Sequence, residues 1–417
     1  IAKTDLTESR QGESYKNYSC DIVRKVAGTH PSNRMDPMRN PALTIFLASL
    51  GWLCLTLHVT AQTITSVQPR TCQPGQTIQL VIQGTDLNDS LRLASSDKSM
   101  HWQVDKIEPT QATVALTLPE DAALGPLNLW LTTATGVVKQ HTFFVDDLET
   151  VNDGGSNHSL ETAQQLSTRS TVEGICDASV SDFYRFHATA GERIAVEVHA
   201  QQLRSAMDPV LRLLNAAGET LIQVDDSSVG PDCQFSYQFA EEGNYWLEIH
   251  DSRNSAGGAL YQLRIGDFPI VNQCYPLAVR RGEKTLVAFT GPDGKRLPSR
   301  EIEVPAEAQG SIHARARFDN GQSSSWAPLF CSRYPQFNET ASTRPLTLPI
   351  GINGRLEQPA EVDSYLIRGV KGQVIRFAAK TRSLASPTLL RMQLFNAASA
   401  KIAETKVADT DEWSFDA

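Results

Sequence analysis

Aromatic residues make up 7% of the 417-residue chain, charged residues 20%, and long apolar runs are nearly absent. There is no G-x-S-x-G elbow, no H-E-x-x-H, no G-x-x-x-x-G-K-[ST] and no C-x-x-C. The common hydrolase, zinc-peptidase, phosphate-binding and dithiol signatures are therefore missing. Basic residues are outnumbered, 38 against 47 acidic ones, and the formal charge is -9. No local run of Lys and Arg offsets that balance, which disfavours a surface that tracks nucleic-acid phosphates. Alternation of helical and strand patterns is lacking too, so an α/β enzyme fold is not indicated.

What remains is a long chain with room for roughly three or four domains. Residues 1–37 carry no apolar pattern long enough to bury, and disorder or lack of translation is expected there. From Met38 the pattern changes. Arg39 is followed by an uncharged apolar run from Ala42 to Leu57, and Val59-Thr60-Ala61 supplies small residues for a cut. Residues 38–61 thus read as a secretory signal peptide. The rival reading, a membrane anchor, needs roughly 20 apolar residues. With cleavage no membrane span is expected.

The rest of the chain reads as repeated β structure. In VSDFYRFHATAGERIAVEV the residues Asp182, Tyr184, Gly191 and Ile194 are matched by Asp363, Tyr365, Gly372 and Ile375, each 181 positions on. In a second repeat Pro69, Gly75 and Gly84 are matched by Pro276, Gly282 and Gly291, each 207 positions on. Tyr184 with Phe186, Ile194 with Val196 and Val198, and Tyr245 with Leu247 and Ile249 alternate with polar residues, as half-buried sheets require. The reading is all-β: tandem β-sandwiches, immunoglobulin-like and jelly-roll-like. Its segments are 62–148, 149–268, 269–337 and 338–417, and the last lacks counterparts of NYWLEIHD and YQLRIGD. The natural protein is expected to continue past Ala417, or the gene to be broken there.

Two family resemblances follow from these segments. ITSVQP, a Pro-Gly turn and TIQLVIQGTDL resemble the immunoglobulin-like TIG (IPT) module of bacterial surface and secreted proteins. The linker LETVNDGGSNHS, then DFYRF, AGE, VLRLLNAAGE and GNYWLEI resemble the bacterial pre-peptidase C-terminal domain, found beside secreted proteases. The resemblance implies an exported, non-catalytic modular protein, secreted, periplasmic or at the cell surface. It would serve as a spacer, an adhesion surface or a binder of an extracellular protein or polysaccharide. The alternative is an accessory region of a secreted hydrolase, a peptidase, whose catalytic domain lies outside this chain. Calcium-binding relatives take ligands from an E-x-x-N-[DN] linker and an Asp before the aromatic strand. Those positions are Glu149, Asn152, Asp153 and Asp182 here, although relatives often carry D-x-D where this chain has Val180-Ser181-Asp182. The second copy has PQFNETAS in place of the acidic linker.

Other candidates stay open. Cys176 with Cys233 and Cys274 with Cys331 each fall within one segment, so they are either bridged or buried free thiols, and Cys72 is left over. His187, His199 and His250 sit on polar strand faces and read as solvated residues, with convergence around a metal as the alternative if their strands are neighbours. Asn157-His158-Ser159 and Asn338-Glu339-Thr340 match the glycosylation acceptor pattern, as a coincidence in a bacterial protein.

Overall fold

The computed structural model describes the backbone of strand Tyr15–Ser19 and residues 62–417, apart from 135, 137, 228–229, 255–256, 320–321, 340–343, 359 and 406–413. The expected signal peptide lies outside the described residues. All of the main elements are strands, with three single-turn 3-10 helices between them, and they form tandem β-sandwiches.

In the first module one sheet runs in the order Thr63–Gln68, Thr77–Thr85, Gln111–Thr117, His101–Glu108. The facing sheet runs Thr71–Cys72, Val138–Val145, Gly125–Thr132, Arg92–Ser95. Leu80, Ile82, Val114, Leu116, Leu129 and Phe143 alternate inward and close the core between them. The second module packs two five-stranded sheets. One is Glu149–Asn152, Ser170–Cys176, Ala259–Gly266, Arg193–His199, Cys233–Gln238; the other is Gln164–Gln165, Asp182–Ala188, Gly243–Asp251, Pro209–Leu214, Thr220–Val224. The third has two three-stranded sheets around Val279, Val287, Phe289 and Leu329. The repeats recur in the backbone: Gly75 and Gly282 take φ of 75° and 77°, and Gly191 and Gly372 take 82° and 84°, a left-handed turn that glycine adopts without a Cβ penalty.

The fourth segment is thinner. Ile367, Ala379, Leu384 and Leu394 are buried, whereas Val362, Val370, Val374 and Leu389 stand open to solvent. Tyr15–Ser19, expected to be disordered, pairs here as a strand between Ile367–Val370 and Gln393–Asn396. A strand edge has unpaired backbone donors and acceptors, which an extended segment satisfies.

The largest departure from expectation concerns the polar strand faces. Along Ala259–Gly266 the residues Tyr261, Leu263 and Ile265 enter the core, so Gln262 and Arg264 point outward, yet both are 2% exposed. Glu197 and His199 on the neighbouring strand are buried as well. The first and third modules cover this face. Arg264 is bidentate to Asp146, at 2.6 and 3.1 Å, and also donates to Glu197. Its guanidinium lies over the rings of Phe268 and Trp326, at 4.4 and 4.3 Å. His199 is not solvated but packed with Phe144 and Trp326, the three ring centroids lying 5.3 to 6.2 Å from one another. Around this centre, Arg70 N–H donates to Glu173, Gln262 to Thr71 and Thr142 to the carbonyl of Gln202.

Cys72, Cys176, Cys233, Cys274 and Cys331 are all buried free thiols. Bridging of Cys176 to Cys233 is ruled out by sheet order, because two strands separate theirs. At about 4.8 Å per strand that spacing is roughly 14 Å, and a disulfide needs less than about 7 Å. Burial also pushes the Cys72 and Cys176 thiols up to about 11, away from the reactive thiolate. Alkylation under native conditions is therefore expected to leave these five residues unmodified, and non-reducing peptide mapping to find no Cys176–Cys233 link. Recovery of that linked peptide from freshly purified protein would contradict the sheet order.

Candidate functional site

Asp182 begins the strand Asp182–Ala188 and Asp153 follows the strand Glu149–Asn152, in the two facing sheets of the second module. Parallel pairing of Glu149–Asn152 with Ser170–Cys176 holds Asp153 over one end of the sandwich. Between the two carboxylates lie two tyrosines from opposite sheets. Tyr184 donates to Asp153 Oδ1 at 3.2 Å, Tyr261 donates to Asp182 Oδ2 at 2.7 Å, and the two phenol oxygens meet at 2.6 Å. His158 Nδ1 stands 3.4 Å from the other Asp182 oxygen. Asp182 is 2% exposed, and both tyrosines are buried.

Proton counting makes this arrangement informative. Three oxygen–oxygen contacts need three hydrogens, and two phenols supply two. The chain is complete only when one carboxyl also carries a proton. Burial pushes the Asp182 carboxyl up to about 6, and the neighbouring Asp153 and Asp177 carboxylates add to the rise, while the Tyr261 hydrogen bond and His158 oppose it. A cation beside the two carboxylates would replace that proton as the source of positive charge.

A third oxygen is available. Asn157 is 1% exposed, its amide nitrogen donates to the Phe183 carbonyl, and its Oδ1 is buried without a hydrogen-bond partner. A buried acceptor left unmatched costs about 1 to 3 kcal/mol, so a ligand for it is favourable. The same burial removes Asn157 as a glycan acceptor.

The four residues expected from the linker are not gathered. Glu149 and Asn152 are exposed, and Glu149 sits at the far end of its strand. Four residues of extended chain put it roughly 13 Å from Asp153, well beyond a shared ion with bonds of about 2.5 Å. Among the described residues no group of three His, Cys, Asp or Glu side chains is placed to hold a metal. The polar groups that the structure does connect are Asp153 and Asp182, through Tyr184 and Tyr261. His187, His199 and His250 do not converge either: His199 lies in the other sheet, and His187 pairs with Asn244 at the start of Gly243–Asp251 whereas His250 lies near the end of that strand.

Sequence reasoning missed Asn157, Tyr261 and Gly174. A Cβ on Gly174 would lie 2.1 Å from Cζ of Tyr261, so the ring rests flat on the glycine. In the fourth segment Tyr365 donates to Glu339 at 2.8 Å, so PQFNETAS does supply a carboxylate to the matching tyrosine.

No family model matches the chain, and no curated protein matches it. Among solved structures, the pre-peptidase C-terminal domain of a Bacillus anthracis collagenase is 17% identical, with a TM-score of 0.21, over 25% of this chain and 93% of that one. PliG of Aeromonas hydrophila, a periplasmic inhibitor of g-type lysozyme, is 16% identical, with a TM-score of 0.20, over 28% and 95%. The Bacteroides ovatus mixed-linkage glucan utilization locus protein SGBP-B, in complex with a mixed-linkage heptasaccharide, is 11% identical, with a TM-score of 0.17, over 47% and 71%.

Two outcomes are expected. In chelator, Asp182 binds a proton in the folded state between its ordinary value of 3.8 and about 6, where the unfolded chain does not. Its contribution to stability is therefore present at acid pH and lost as pH rises through that window. Asp182→Asn removes that slope in melting temperature against pH, and an unchanged slope would show that another group carries it. Gly174→Ala is expected to lower the melting temperature and displace Tyr261, costing about 1 to 3 kcal/mol. An unperturbed Tyr261 ring signal in that variant would refute the packing.

Proposed function

We propose that the chain is an exported, non-catalytic modular protein whose sandwiches present binding surfaces outside the cell, and that its second module holds calcium. The observation that carries the cation reading is the pair Asp153 and Asp182, joined through Tyr184 and Tyr261, with the unpartnered Oδ1 of Asn157 buried beside them. Calcium takes several oxygens in flexible geometry, and carboxylates, an amide and main-chain carbonyls satisfy it. Bound there, the ion would tie the segment after Glu149–Asn152 to the sandwich. Asp153 and Asp182 would supply charge, Asn157 a neutral oxygen, and the tyrosines would orient both carboxylates.

Export is supported by the early apolar run after Arg39, and a TIG-like and pre-peptidase-like alternation by the repeated patterns. The non-catalytic reading draws on the repetition of sandwiches, each with its strands committed to an apolar core. Among the described residues no helix is long and apolar enough to cross a membrane.

A thermal-shift titration of the whole chain tests the reading. Extracellular calcium modules work at roughly 0.1 to 1 mM, and free calcium at ten times the dissociation constant stabilises the folded state by about 1.4 kcal/mol. The melting temperature is expected to rise with calcium and return with chelator, with magnesium doing less. Asp182→Asn and Asn157→Leu should lose the response, and Glu149→Gln should keep it. Equal melting temperatures in calcium and in chelator, with no heat of binding, would leave the second module without a cation role.

A further inference from the structure

A pocket of about 350 Å³ opens where the first three modules meet, at the lower end of the range for small-molecule sites, about 300 to 1,000 Å³. Its charged wall is Arg169, Arg264, Arg315, Asp147 and Asp267, and Leu124, Phe268 and Trp326 give it an apolar side. The arginines differ in what they are bonded to. Arg169 is paired with Asp267 and Arg264 with Asp146 and Glu197. Arg315, which follows the strand Ser311–Ala314, has a buried Nη1 without a hydrogen-bond partner. Burial lowers its affinity for a proton, to a value of about 10, and the positive charges of Arg300, Arg264 and Arg317 add to this, while Asp147 opposes it. A desolvated, crowded guanidinium of this kind is only partly offset by Asp147, and its buried Nη1 is left without an acceptor.

We propose that the pocket binds a sugar acid, a monosaccharide ring bearing a carboxylate, with the carboxylate on Arg315. A guanidinium meets a carboxylate through parallel charge-assisted hydrogen bonds, the strongest pairing open to it. A plain anion would also meet Asp147 and Asp267, which only accept hydrogen bonds and repel negative charge. A polyhydroxylated ring turns those two carboxylates into partners, because its hydroxyls donate to them. The C–H face of such a ring suits the apolar side formed by Leu124 and the edges of Phe268 and Trp326. An acidic peptide carries the carboxylate without the hydroxyls, and a neutral sugar the hydroxyls without the carboxylate.

The pocket lies on the outer side of the sheet containing Ala259–Gly266, and Tyr261 and Asp182 lie on its core side. The inference adds a ligand class to the binding reading and is independent of the cation site. Calorimetric titration of the whole chain in chelator, which silences calcium, uses D-glucuronate, D-glucose, an acidic dipeptide and inorganic phosphate as probes. Glucuronate is expected to bind, and each of the other three to bind at least about tenfold more weakly, the scale of one lost charge-assisted contact. Arg315→Gln should abolish glucuronate binding. Arg315→Lys, which keeps the charge and loses the fork, should weaken it several-fold at an unchanged melting temperature, so a misfolded Gln variant does not decide the matter. No heat with glucuronate, equal binding of the dipeptide or phosphate, or undiminished binding by a folded Arg315 variant would overturn the proposal.

Discussion

Arg264 is the point on which the arrangement of modules depends. A fully buried guanidinium is tolerated only when its charge and its donors are matched, and here Asp146 from the end of the first module and Glu197 from the second do both. Burial alone would lower the affinity of Arg264 for its proton, but the two carboxylates outweigh it. Burial likewise pushes the Glu197 carboxyl up, and His199 and Arg264 more than reverse that. The third module enters through Trp326, whose ring stacks on His199 and lies under the guanidinium. Removal of any one partner leaves buried charge uncompensated, a loss of about 3 to 5 kcal/mol for such a pair. The sugar-acid pocket and the junction are consequently one feature, since Arg264 and Trp326 line the pocket they help to form.

On the core side of the same sheet a second polar network works by shortage. Asp153, Tyr184, Tyr261 and Asp182 make a hydrogen-bonded row with one proton fewer than its contacts need. Such a row is completed by a proton at acid pH. Burial sharpens the need, because an unmatched charge in the interior costs far more than one in water. Tyr365 and Glu339 repeat part of the row in the fourth segment.

How far this was legible in the sequence depends on what each signal measures. Alternation in DFYRF, RIAVEV and GNYWLEI fixed which residues share a face, and Tyr184, Phe186, Val196 and Leu247 are all fully buried. The repeat offsets marked turn glycines that recur with the same backbone angle, Gly75 with Gly282 and Gly191 with Gly372. Alternation does not say what covers the polar face, so His199 read as solvated although it is buried there together with Glu197 and Arg264. Linear proximity misled at the acidic linker, because a strand carries Glu149 away from Asp153 at about 3.3 Å per residue. Asn157 read as an acceptor pattern, and the arginines of the pocket are too far apart in sequence to register as a basic cluster.

The central claim is that Arg264 holds the first three modules in one fixed arrangement. The direct measurement is a spin-label distance between Lys106→Cys in the first module and Leu286→Cys in the third. Both sites are 66% exposed, whereas the five described cysteines are buried. The account predicts a single narrow distance distribution, broadened when Arg264→Met leaves Asp146 and Glu197 without their partner. A distribution that is already broad with Arg264 present, or one equally narrow without it, would contradict the account.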